Sequence, residues 1–185
     1  MALRLGHRQS EDFDFFADSP VNPDQLLAEL PLLKGATVRQ KAPNTLTVVV
    51  HRLEPVKLSF FGLSLRRVAE PDATDDAVAR VASLRDVAGC KMAVLQGRSE
   101  SKDYLDVYAL LAHGIGLPEM LGAAQAIYGD QFYPLISLKA LTWFKDGDLF
   151  SLPSKVKETL ARAAGEVRDI PDFSPLPGGV SPAVT

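Results

Sequence analysis

Cysteine is nearly absent: Cys90 stands alone in the chain, so no internal disulfide is available and no thiolate zinc site can be assembled. Histidine is almost as scarce, and His7, His51 and His113 lack partners at metal-ligand spacing, which argues against a structural metal. Neither sign of charge dominates. Twenty basic residues against twenty-three acidic ones give a net charge of -3, without the broad positive field that drives nucleic-acid binding by counterion release. Any contact with nucleic acid is therefore expected to be local. There is no apolar run of roughly 18 residues and no charged-then-apolar leader, so neither a membrane span nor secretion is expected and a reducing cytoplasm fits best. No internal repeat is visible. What is present is a hydrophobic content of 46% over 185 residues, enough for one sizeable core or two small ones.

Along the chain, residues 6–16 alternate as a strand does, with Ser10, Asp12 and Asp14 on one face and Glu11, Phe13 and Phe15 on the other. Asn22-Pro23-Asp24 signals a helix start, followed by Leu26, Leu27, Leu30 and Leu33 at helical intervals, with Pro31 kinking or ending the helix. Four β-rich runs follow, Thr37 to Lys41, Leu46 to His51, Val56 to Phe61 and Leu63 to Val68, separated by Pro43-Asn44, Pro55 and Gly62. After the acidic loop Glu70 to Asp76 the pattern turns helical. Ser83 and Asp86 form a capping box opening a helix to about Gln96. Further helices are expected from Lys102 to His113, from Pro118, from Pro134 to Phe144 and from Pro153 to Val167. The reading is an α+β (α/β-like) chain: a small mixed sheet with a covering helix over residues 1–76, a helical part over 77–170, and a flexible tail over 171–185.

Two places carry candidate chemistry. The first is Ser10-x-Asp12-x-Asp14 at the end of strand one, where i and i+2 side chains share a face and two carboxylates can reach one cation. Such hard-oxygen pairs suit Mg²⁺, which takes one or two carboxylates together with substrate phosphates. The alternative is a solvated acidic strand edge. The second is Lys91, which falls within the apolar stripe of Leu84, Val87, Ala88, Val94 and Leu95 and so points inward, where an ammonium needs an anionic partner, a phosphate or a carboxylate. Lys91 at the stripe's edge could instead snorkel to water. On the next helix Asp103 and Asp106 share a side with Leu110, and Arg98 and Lys102 lie in the connection; a salt-bridge network tying two helices together explains these residues equally well.

Taken in order, these features resemble a known family. Arg8-Gln9-Ser10-Glu11-Asp12-Phe13-Asp14-Phe15-Phe16 is similar to the R-x-S-x-D-[hydrophobic]-D strand of AbiEii/AbiGii-type nucleotidyltransferases, toxins of bacterial toxin–antitoxin and abortive-infection systems. The stretch from Lys91 to Asp106 resembles that family's K-x-x-A-x-x-x-R…K-D-x-x-D signature, and Leu138 to Phe144 followed by Asp146 and Asp148 resembles a downstream segment. The likeness runs from about Ala2 to Ile170. It implies a polymerase-β-like nucleotidyltransferase core with a helical C-terminal part, and Mg²⁺-dependent transfer of a nucleotide from an NTP to an acceptor, tRNA in some members, with a cognate antitoxin as partner. By the same resemblance Asp12 and Asp14 hold Mg²⁺, Lys91 and Asp103 complete the catalytic set, and Arg8, Ser10, Arg98, Lys102 and Asp106 bind substrate. Such a reaction is mainly positioning and charge neutralisation, which needs few reactive side chains. Two family features are not seen. The Gly-[Gly/Ser/Thr] turn about ten residues before the first aspartate would fall before Met1, so an N-terminally truncated member is expected. The strand Val56-Lys57-Leu58-Ser59-Phe60-Phe61 carries no third carboxylate, with Glu54 just outside it. A non-catalytic member that binds a nucleotide or a partner protein is the alternative.

Overall fold

A computed structural model describes residues 2–9, 12–63, 65–75 and 79–178. The element order is α1 (Ala2–Leu5), β1 (Asp12–Ala17), α2 (Pro23–Glu29), β2 (Thr37–Ala42), β3 (Thr45–His51), β4 (Pro55–Gly62), β5 (Asp72–Ala73), β6 (Arg80–Val81), α3 (Leu84–Val94), α4 (Ser101–Ala112), α5 (Leu117–Tyr128), α6 (Pro134–Ala140) and α7 (Ser154–Glu166). Two compact units result, whose described residues fall within 8–65 for one and within 2–7 and 66–176 for the other. The division thus falls ahead of the expected residue 76, and the first seven residues belong with the helices.

In the sheet unit the strand order is β1-β4-β3-β2, with β1 parallel to β4 and the other pairs antiparallel, a mixed sheet as expected. Asn22 caps α2 by accepting from the Asp24 and Gln25 amides, and Pro31 ends the helix in a single 3₁₀ turn, Pro31–Leu33. The alternation of β3 buries Leu46, Val48 and Val50, which meet Leu58 of β4 and Leu26, Leu27, Leu30 and Leu33. Each such side chain contributes roughly 1.5–3 kcal/mol when fully buried. Period two puts Asp12, Asp14, Lys57, Ser59, Thr45 and Thr47 on the opposite face, which α2 does not cover.

Two strand expectations are corrected. The described part of strand one is Asp12–Ala17, since Ala2–Leu5 is helical and Gly6 turns the chain with φ +58°; the acidic pair thus stands in the first half of the described strand and not at the end of one that runs from residue 6. The run from Leu63 to Val68 forms no strand among its described residues. Its neighbours give out at the same point, since Ala17 of β1 pairs with Gly62 and β3 pairs no further than Thr45 with Phe61, which leaves the backbone no ladder to join.

In the helical unit Ser83 caps α3 as expected, its Oγ accepting the Asp86 amide at 3.0 Å, but the return bond of a capping box is altered, since the Asp86 carboxylate accepts the Ser83 hydroxyl at 2.7 Å. The buried carboxylate also accepts the Val68 amide at 2.7 Å, pinning the chain leading into the unit. α3 lies so close to α5 that a Cβ on Gly89 would come within 2.9 Å of the Ala124 nitrogen. Ala88, Met92, Leu95, Tyr104, Val107, Leu110, Met120 and Leu121 form the centre of this core, with Val156 and Leu160 of α7. Its buried α3 face runs through Ala88, Gly89, Met92 and Leu95, while Leu84, Val87 and Val94 of the expected stripe are half-buried. α6 stops at Ala140, short of the expected Phe144. Past α7 the chain is held to the same unit at least to Leu176, whose amide donates to the Arg67 carbonyl at 2.8 Å, and Phe173 lies under the Arg85 guanidinium at 5.0 Å. The expected loose tail is thus tethered over its first residues; residues 179–185 lie outside the described range.

Candidate functional site

The acidic pair sits on the edge strand of the sheet unit. Asp12 and Asp14 share the face left uncovered by α2, and Asp14 is exposed. Lys57, directly across on β4, places its ammonium 3.1 Å from Asp12 Oδ1 where both side chains are half-exposed. A protein cation thus already stands at one of the expected metal ligands. Arg8 donates to the Gln9 carbonyl at 3.0 Å, and Ser10 lies outside the described residues.

The helical unit gathers the other candidates. Lys91 of α3 directs its ammonium to Asp103 Oδ1 at 2.8 Å and to Asp106 Oδ2 at 2.7 Å, and both carboxylates on α4 are wholly buried. A spacing of three on α4 puts the two acids one above the other, so one ammonium reaches both. Arg98 grips Asp103 with two N–H groups, Nε to Oδ2 at 2.7 Å and a terminal nitrogen to Oδ1 at 3.1 Å. Burial pushes the Asp103 carboxyl up, but the hydrogen bonds from Arg98 and Lys91 and the charges behind them outweigh it and hold the group below the ordinary carboxylate range. Lys91 is therefore neither a snorkelling edge residue nor an uncompensated charge. An ammonium has three donors, two of them directed at these carboxylates, and the side chain keeps 18% of its exposure. Lys102 is not drawn in: it pairs with Glu100 at 2.9 Å in the first turn of α4.

Two residues that composition and spacing passed over complete the cluster. His7 Nε2 lies 2.7 Å from Asp106 Oδ1, joining α1's end to α4 across 99 residues. Asp148 accepts both the Ser101 amide at 2.6 Å and its hydroxyl at 2.7 Å, capping the helix that carries the two buried acids, and these bonds hold its carboxyl below the ordinary range. Among the described residues no three His, Cys, Asp or Glu side chains gather as a metal site, and no single helix is long and apolar enough to cross a membrane.

A small mixed sheet with paired carboxylates on its edge, followed by helices, is an α+β arrangement of the nucleotidyltransferase kind. The chain belongs to the family described as nucleotidyl transferase AbiEii toxin of type IV toxin–antitoxin systems, whose model matches residues 1–174. It is similar to an uncharacterized protein of Aquifex aeolicus (strain VF5), 27% identical over 149 residues that span 79% of this chain and 70% of the relative. No solved structure matches the chain.

Proposed function

We propose that the chain transfers a nucleotide from an NTP to an RNA acceptor, tRNA above all, or to a protein, and that it acts in the cytoplasm as a toxin countered by an antitoxin. The observation that carries this reading is the setting of Lys91: two wholly buried carboxylates fix its ammonium from one side and leave a remaining N–H and a partly open surface for an anion. Arg98, which grips Asp103 and is 44% exposed, places a second cation on the same buried carboxylate as Lys91.

The family implies Mg²⁺, and the residues present suit it. Asp12 and Asp14 supply hard oxygens on one strand face, the one or two carboxylates such an ion takes when phosphates complete its shell. Bound there, the ion would neutralise phosphate charge and stabilise the entering and leaving oxygens of the transfer. For Asp12 to serve, Lys57 must withdraw from it, a rearrangement that costs little because a pair this exposed is worth about 0.2–1 kcal/mol. In the helical unit Lys91 and Arg98 take phosphate, Asp103 and Asp106 keep Lys91 aimed, and Arg8, Ser10 and Lys102 contribute outer contacts.

A second reading has its own support. The charges of Lys91 and Arg98 are met inside the protein, and Lys57 already answers Asp12, as in a member that keeps the fold and binds a nucleotide or a partner protein without turnover. Incubation with each α-³²P-labelled NTP, Mg²⁺ and total bacterial RNA separates the two. Transfer predicts labelled RNA or protein, abolished by Asp12→Ala; the non-catalytic reading predicts NTP binding with no label transferred.

A further inference from the structure

His7 has no place in the chemistry above, yet its geometry is tied to it. Gly6, at φ +58°, turns the chain out of α1 and delivers His7 to the Asp106 side of α4. A carboxylate only accepts, so the 2.7 Å contact requires the proton on His7 Nε2, donated to Asp106 Oδ1. The second oxygen, Oδ2, takes Lys91 at 2.7 Å. Asp106 is wholly buried and His7 is 14% exposed, so water does not readily replace this donor. His7 Nδ1 is itself buried without a hydrogen-bond partner, so the ring's polar bonding is committed to Asp106 at the expense of its other nitrogen.

We infer that His7 is a positioning residue for nucleotidyl transfer: by holding one oxygen of Asp106, it keeps the other on Lys91 and keeps the ammonium aimed between the two buried acids toward phosphate. Loss of this donor takes from Asp106 Oδ1 a buried bond that opposes the pull of Lys91 on Oδ2, so the carboxylate turns toward the ammonium and draws it from Asp103. The inference rests on the proposed role of Lys91.

The test compares His7→Leu, which keeps bulk but loses the donor, with His7→Gln, whose amide N–H reaches Asp106. Transfer from NTP to total tRNA, urea unfolding and the ¹⁵N resonance of the Lys91 ammonium are read in each variant and in Lys91→Met. A misplacement of about 1 Å costs on the order of 10²-fold in rate, so kcat in His7→Leu falls by about ten- to a hundred-fold with KM for NTP little changed, and the Lys91 resonance moves. His7→Gln recovers most of the rate and the wild-type resonance. Wild-type turnover in His7→Leu, or equal losses in the Leu and Gln variants, overturns the inference. Should His7→Leu fail to fold, His7→Asn, whose amide falls short of Asp106, takes its place with the same expected loss. An inactive Lys91→Met beside a fully active His7→Leu removes the inference alone; wild-type transfer by Lys91→Met, or none by the wild type, removes the role of Lys91 and the inference with it.

Discussion

In the sheet unit Asp12 meets Lys57 with side chains 38% and 42% exposed, whereas in the helical unit Asp103 and Asp106 are wholly closed in and share Lys91, Arg98 and His7 among them. Electrostatics explains why the two clusters differ so much. Half-exposed ions keep much of their hydration and exchange partners at little cost, which is what the proposed cation site on the sheet requires. Buried ions have lost their hydration and depend on one another for solvation, so the helical cluster is set in advance and resists rearrangement. One pair exchanges its partners cheaply, and the other cluster holds them still.

Removing a member of each cluster breaks the comparison most severely on the helical side. Asp103→Ala strips Arg98 and Lys91 of a shared buried anion, and urea unfolding should register a loss of about 3–5 kcal/mol, the usual cost of breaking a buried pair. On the sheet side, Asp12→Asn with Asp14→Asn should change stability by no more than about 1 kcal/mol, the scale of an exposed ion pair, while removing transfer altogether. Equal destabilisation in both would erase the distinction.

Acid sharpens it further. The Asp103 carboxyl is held below its ordinary value in the folded protein, so its contribution is fully present above the unfolded-state pKa of about 3.9 and is lost as pH falls through the lowered folded value. Urea titrations from neutral pH downward should show the wild type losing stability below about pH 4, with a shallower acid limb in Asp103→Asn. Lys57→Met should shift Mg²⁺ dependence and not stability: with that ammonium no longer competing at Asp12, half-maximal transfer is expected at a several-fold lower Mg²⁺ concentration. The smallest effect belongs to Asp148→Ala, which removes an exposed cap from α4 and should lower Tm slightly, less than any change at Asp103.

Much of this was legible in the sequence where the determinant was local. Asn22 before Pro23, Ser83 three before Asp86, and Pro118 and Pro134 in first turns each mark a helix start through a side chain or ring acting within a few residues. Helical spacing paired Asp103 with Asp106 and set Lys91 in an apolar stripe, but left open whether its ammonium turns inward or snorkels, which the two buried carboxylates on α4 decide. What escaped depended on distant partners. Leu63 to Val68 has strand composition but no strand beside it, and composition does not reveal where a neighbour ends. His7 with Asp106, Lys57 with Asp12, and Asp148 with Ser101 are pairs joined only by the folded chain, 47 residues apart in the last case and 99 in the first. Family resemblance pointed to Asp12, Asp14, Lys91 and Asp103 without indicating that Lys57 would already stand at one of the acids.

The most direct test of the account separates metal from phosphate. Mn²⁺ binding followed by electron paramagnetic resonance, with and without NTP, should be lost in the Asp12→Asn, Asp14→Asn protein, whereas Lys91→Met should keep Mn²⁺ binding and lose affinity for the NTP. Unchanged Mn²⁺ binding in the paired-aspartate variant, or unchanged NTP affinity in Lys91→Met, would contradict it.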